Sequence, residues 1–251
     1  MNRLVGNILK DFVGTWEYKT ILLYLFMGSM VFVNQSLTEP YWNIFLGSFT
    51  KKTFLIVILF ASFLAMFVFI YRQIINNQPL LLRLSSKKNF VIFCLLMLVV
   101  SSAFLFAQAI IIQLICCNLR PHLGYSLTMV KYDANSYFIM IIALLKVFFT
   151  ILSIGLLYLV CYFSFKKKNI SIFVSLAFLF LLYFGDRVFS ESNFLFVAFN
   201  PGYQAYGFYL TNQISTFILS GLVYFGLVFG IFSILLFYKA KKKDLGMDEV
   251  I

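Results

Sequence analysis

Six apolar segments divide this chain of 251 residues, at roughly 18–36, 53–71, 89–117, 136–163, 170–185 and 212–238. A helix needs about 17–25 predominantly apolar residues to cross a hydrocarbon core of about 30 Å, and most of the segments meet that length. A water-soluble fold could not hide so much apolar surface. Hydrophobic residues make up 62% of the chain and charged ones 12%, against roughly 45–50% and 25% in soluble domains. Backbone polar groups in hydrocarbon must be satisfied within the segment, which leaves helices as the structure for isolated apolar runs. The pattern predicts an all-α membrane protein: one transmembrane domain over 1–251 with six transmembrane helices.

Positive charge alternates across these segments. Loops on one side carry Arg3, Lys10 and Lys19; Arg72, Arg83, Lys87 and Lys88; Lys166, Lys167 and Lys168; and Lys239, Lys241, Lys242 and Lys243, fourteen in all. The other side carries Lys51, Lys52, Arg120, Lys131 and Arg187, which is five. The richer side is cytoplasmic by the positive-inside rule, so both termini are expected in the cytoplasm of a multi-pass protein. The net charge of +11 is spread over short clusters beside the spans. Those clusters suit topology and anionic lipid headgroups, not a nucleic-acid groove. Heavy use of Phe, Ile, Asn and Lys fits an AT-rich genome, hence a low-GC bacterium and its cytoplasmic membrane.

Val5, Ile8, Leu9, Phe12 and Val13 follow one-face helical spacing. Residues 1–17 are therefore expected to form an interfacial helix on the inner membrane surface. Trp16 and Tyr18 sit where interfacial anchors belong. The first span follows; five more spans come after it and no small-x-small cleavage site is present, so it does not read as a cleaved signal. Residues 34–52 read as an outer loop with Pro40, Tyr41 and Trp42 at the interface.

The loop at 72–88 holds a Leu80-Leu81-Leu82 run after Pro79, among Arg83, Lys87 and Lys88. Its charge alone fits a short helix docking on a cytoplasmic partner and a solvated, topology-setting loop equally well. In the third segment Ser101 and Gln108 share a face, as hydrogen-bonding glue between helices or as pathway lining; glue is the preferred reading. Lys146 is the one charge inside an apolar run. Val147–Phe163 supplies 17 apolar residues by itself, so the preferred reading has its amine snorkelling outward; the sharper one pairs it with Asp186 across the bundle.

The stretch 188–211 is too apolar for an ordinary loop and too broken for a span. Asn200-Pro201-Gly202-Tyr203 is a strong turn signal, which predicts a re-entrant or interfacial helical hairpin before the last helix. Gly226 and Gly230 form a small-xxx-small pair that permits close helix packing. The tail 239–251 is expected in the cytoplasm.

Several chemistries find no residues here. His122 is the only histidine, and none of the nine acids lies in the core of a span. That argues against an intramembrane metalloprotease and against an obvious proton- or sodium-coupling site. Cys94, Cys116, Cys117 and Cys161 lack zinc-ligand spacing and read as small core residues. No GxxxxGK[ST] loop occurs, so any nucleotide hydrolysis of that kind belongs to another chain.

The amphipathic start Leu4–Val13, the loop Gln78-Pro79-Leu80-Leu81-Leu82-Arg83-Leu84-Ser85-Ser86-Lys87-Lys88 and the hairpin around Asn200-Pro201-Gly202-Tyr203 together resemble the type-2 ATP-binding-cassette permeases. The small six-span permeases of low-GC bacteria are especially similar. The resemblance implies a half-transporter that forms a homodimer or heterodimer with a related permease. Each protomer would rest on a cytoplasmic ATPase subunit, which binds the ATP and Mg; this chain would bind no cofactor and would not itself be an enzyme. Pro79, Leu80, Leu81, Leu82, Arg83 and Leu84 would form the coupling helix, and the hairpin would help close the pathway. An aromatic pathway poor in charge would suit export of an amphipathic or hydrophobic substrate such as a peptide. The alternative is a non-transporting immunity or sensor-anchor protein that acts by binding.

Overall fold

In a computed structural model of the chain, the described residues are 2–35, 39–51, 53–76, 86–122, 124–126, 136–165, 169–178 and 214–242. They are helical almost throughout, with no strand among them. We number the helices α1 (Asn2–Val13), α2 (Trp16–Gln35), α3 (Tyr41–Thr50), α4 (Ala61–Asn76), α5 (Lys87–Asn118), α6 (Ser136–Phe165), α7 (Asn169–Phe178) and α8 (Ile214–Lys242). A π-helical segment, Phe54–Phe60, leads directly into α4.

Among the described residues, four helical stretches are long and apolar enough to cross a membrane: Phe54–Ile74, Lys88–Asn118, Tyr137–Phe165 and Ile218–Lys239. At 1.5 Å per residue the 32 residues of α5 extend about 48 Å, well beyond a core of about 30 Å. Ser86 starts α5 as its N-cap: its side chain accepts a hydrogen bond from the Asn89 amide at 3.2 Å, satisfying one of the donors a helix start leaves open. The fifth predicted segment, 170–185, is described only as far as Phe178. α2 is 20 residues long, but Glu17 and Lys19 at its start and Asn34 and Gln35 at its end leave a short apolar middle.

Two sequence expectations change. The apolar face of α1 does not lie open: Val5, Ile8 and Phe12 are buried, with Phe12 tilted against Phe69 of α4 at 6.2 Å and edge-on to Tyr18 at 5.4 Å. Protein, not lipid alone, takes up that stripe, because the Gly14-Thr15 break folds α1 back against α2 and α4. The Thr15 hydroxyl donates to the Phe12 carbonyl at 2.7 Å and accepts from the Tyr18 amide at 3.3 Å, fastening the corner.

Second, the stretch read as an outer loop contains α3, and that helix is enclosed. Tyr41, Ile44, Phe45, Leu46 and Phe49 are buried, as are Asn43, Ser48 and Thr50. Pro40 precedes it in extended conformation and its carbonyl accepts from the Asn43 and Ile44 amides, both at 3.0 Å. Ser48 and Thr50 turn their hydroxyls onto the Phe45 and Leu46 carbonyls at 2.6 and 3.0 Å, which is how a ten-residue helix with polar side chains can sit inside the bundle.

Among the described residues, nothing lies within 4 Å of a side-chain carbon built on Gly226 or Gly230. Gly28 and Gly155 do stand at close helix approaches. A Cβ on Gly28 would lie 2.6–2.9 Å from the Ile58 side chain, and one on Gly155 would overlap Leu98.

The interior is held by aromatic ladders. Phe63, Phe67 and Tyr71 stack along α4 at 6.0 and 6.2 Å, and Tyr158 of α6 meets Phe67 and Tyr71 edge-on at 5.7 and 5.9 Å. Such edge and offset contacts are the preferred aromatic geometries. The Gln108 side-chain amide donates to the Tyr18 hydroxyl across α5 and α2, the role of interhelical glue expected of it. Ser101 and Ser102 instead donate to the Leu98 carbonyl of their own helix, at 3.2 and 2.5 Å.

Candidate functional site

The residues singled out in sequence fall into two groups. Pro79, Leu80, Leu81, Leu82, Arg83 and Leu84 of the basic loop lie outside the described residues. So do Asp186 and the hairpin residues Asn200, Pro201, Gly202 and Tyr203. Lys146, Gly226 and Gly230 are described, and the fold brings Lys146 and Gly226 together.

They line a cavity of about 370 Å³ between α6 and α8. From α6 come Ile142, Leu145, Lys146 and Phe149, spaced so that they share one helical face. From α8 come Gly221, Phe225, Gly226 and Phe229, again on one face. The Phe149 ring sits 5.5 Å from Phe225 and 5.9 Å from Phe229, and the two α8 rings stack on each other at 6.1 Å. Gly226 stands at the open side of the lining, with nothing among the described residues within 4 Å of where a Cβ would be. Gly230 lies farther along α8, outside this lining.

Lys146 is 5% exposed. Its side chain is buried within the bundle, where the sequence expectation has the amine snorkelling outward. The cause is tertiary. Among the described residues α6 and α8 form the most extensive helix pair, and the α6 face that carries Lys146 lines the cavity shared with α8. Thr150, one turn on, donates its hydroxyl to the Lys146 carbonyl at 2.9 Å, and Ser153 does the same to Phe149 at 2.9 Å. These polar groups are satisfied by their own helix.

Comparison with family models, with curated proteins and with solved structures yields no match. The site is therefore read from its own residues.

A second cluster gathers around α3. Tyr41 packs edge-on to Trp42 at 5.1 Å and to His122 at 5.3 Å; Tyr125 lies 4.7 Å from His122, and Trp42 meets Tyr137 at 6.2 Å. The Tyr41 amide donates to the Gly124 carbonyl at 2.9 Å, and the Asn118 amide donates to the Tyr41 hydroxyl at 3.1 Å. Burial lifts the Tyr41 phenol above its ordinary value, a shift the Asn118 hydrogen bond opposes. This cluster ties the end of α5 to α3 and to the start of α6. Sequence reading missed it because its members stand far apart in the chain; the closely spaced Tyr41-Trp42 and His122–Tyr125 were its only local signal.

A further groove of about 330 Å³ lies where α2 meets the π-helical segment, lined by Tyr24, Met27, Val31 and Val57 among others. The Tyr24 hydroxyl donates to the Val57 carbonyl at 3.0 Å, occupying an acceptor in the stretch where the helical register changes. Among the described residues no group of three His, Cys, Asp or Glu side chains stands close enough to hold a metal ion.

Proposed function

We propose that this chain is the membrane-spanning permease subunit of an ATP-binding-cassette exporter, with six spans and both termini in the cytoplasm of a bacterial cell. It moves an amphipathic or hydrophobic substrate outward, and a separate ATPase subunit supplies the energy. One observation carries the reading: the basic stretch 72–88, with its apolar Leu run, reaches from the last turn of α4 to the capped start of α5. The amphipathic α1, folded against α2 and α4 by the Gly14-Thr15 corner, supports it. A cluster of cations around Leu80-Leu81-Leu82 suits an acidic partner surface, whereas lysine runs without apolar residues serve topology alone.

The test is co-purification of the tagged full chain from its native membrane, followed by nucleotide hydrolysis. The expected outcome is a span-free P-loop ATPase in stoichiometric yield, lost or uncoupled by Arg83→Glu while the chain's membrane abundance holds. If no ATPase accompanies the chain and Arg83→Glu leaves cellular activity unchanged, the permease reading fails and the binding-only alternative takes its place.

A further inference from the structure

The groove between α2 and the π-helical segment opens beside the start of a membrane-length stretch, Phe54–Ile74, so what it meets is lipid. Tyr24, Met27, Val31 and Val57 line it and are between 42% and 56% exposed. The groove follows α2 from Tyr24 to Phe32, about 12 Å at 1.5 Å per residue. Spread over that length, its volume leaves a cross-section on the order of 30 Å², against on the order of 80 Å² for a helix about 10 Å across. A packing helix would also need small residues to come close. The one glycine in the lining, Gly28, is already met by the Ile58 side chain, 2.6–2.9 Å from where a Cβ would stand. The groove therefore has the width of a hydrocarbon chain and not of a helix.

Its Phe32 end is charged. The Lys51 ammonium stands over the Phe32 ring, 4.8 Å from the centroid. Lys51 precedes Phe54 by one turn, and its carbonyl accepts from the Leu55 amide at 3.1 Å, so it lies where the apolar stretch gives way to the headgroup layer. Lys51 has a neighbour in Glu39: their charged atoms are 4.0 Å apart, and the two side chains are 47% and 35% exposed. A pair that long and that exposed is weak. An ammonium carries three donors, so this contact leaves it able to meet a phosphate. We propose that the groove holds one acyl chain of an anionic phospholipid, the chain against Met27, Val31 and Val57 and the phosphate at Lys51. Charge selects the headgroup, because a zwitterionic lipid fills the groove equally but brings its own cation to the same place. This inference does not rest on the permease assignment: a transporter and a binding protein could each hold such a lipid.

The test uses the full chain purified and placed in phosphatidylcholine nanodiscs, with trace phosphatidylglycerol and trace phosphatidylcholine, each bearing an acyl-chain diazirine, as probes. Wild type should be labelled on peptides that contain residues 24–31 or 53–58, and excess unlabelled phosphatidylglycerol should compete. The anionic probe should be preferred by about fivefold, the effect of one lysine beside an anionic headgroup. Lys51→Gln should abolish that preference and Lys51→Arg should keep most of it. Glu39→Gln, which removes the neighbouring acid, should keep the preference or raise it. Val31→Trp, at an exposed lining position, should suppress labelling by both probes. Labelling that does not compete or maps elsewhere overturns the proposal, as does an anionic preference that survives Lys51→Gln. A preference lost in Glu39→Gln also overturns it, since Lys51 would then act through its ion pair alone. So does a Val31→Cys variant that cross-links to a second copy despite excess phosphatidylglycerol, which would assign the groove to a dimer contact. Thermal midpoints within a few degrees of wild type verify that each variant is folded.

Discussion

α4 with its π-helical lead and α8 are both strongly apolar and long enough to cross a membrane, yet they occupy opposite situations. In the apolar stretch of Phe54–Ile74, 67% of residues are buried inside the protein; in that of Ile218–Lys239 only 22% are. Phe63, Phe67 and Ile70 of α4 are fully enclosed, whereas Leu222, Ile231 and Ile234 of α8 are more than half exposed. Apolar composition thus decides residence in the membrane and says nothing of position in the bundle. Lipid tails are as apolar as leucine, so neighbours are chosen by shape and hydrogen bonding. The same contrast runs through the glycines. Gly28 and Gly155 sit where a neighbouring side chain presses in, and Gly226 and Gly230 meet nothing within 4 Å among the described residues.

The largest expected difference comes from emptying each helix. Phe67→Ala removes a ring that touches Phe63, Tyr71 and Tyr158, and should cost about 3 kcal/mol or more. Leu222→Ala, at an exposed site, should cost under about 0.5 kcal/mol. Thermal unfolding of both variants in one detergent checks the pair, and equal losses would break the contrast.

Filling the glycines should come next. Gly155→Ala drives a methyl into Leu98 and should cost about 1–3 kcal/mol, in part restored by adding Leu98→Ala. Gly226→Ala or Gly230→Ala meets nothing and should be neutral or stabilise by up to about 1 kcal/mol through helix propensity. A destabilised Gly230→Ala in the native membrane, but not in detergent, would reveal a neighbour on that face.

The smallest effect concerns the polar glue. Gln108→Leu removes the hydrogen bond to Tyr18, and interhelical bonds in membranes average about 0.6 kcal/mol. Tyr18→Phe should have a similar effect, and the double variant should show coupling. Additive losses would remove Gln108 from the packing of α2 on α5.

Most of the long helices were legible because their signal is compositional. The segments read at 89–117, 136–163 and 212–238 became Lys87–Asn118, Ser136–Phe165 and Ile214–Lys242, since the apolar runs end at charged or capping residues such as Ser86. α3 was not legible. Ten residues are too few to span, and Asn43, Ser48 and Thr50 resemble loop residues until their hydrogen bonds and neighbours are known. Nor could the π-helical register of Phe54–Phe60 be seen in FLIVILF, whose composition fits an α-helix equally. Of the candidate site, Lys146 announced itself as the lone charge in an apolar run, but nothing local set the direction of its side chain.

The amino-acid sequence by itself determined that this chain is helical, that several of its helices are membrane-length, and where the cations gather, because hydropathy and charge act on each segment independently of its neighbours. Only the tertiary structure decided which faces of those helices are covered. It turned the stripe of α1 onto α4, enclosed α3, jammed Gly155 against Leu98 and left Gly226 open beside Lys146. Those outcomes depend on how helices of equal apolarity fit one another, and that fit is a property of pairs of surfaces rather than of any one segment.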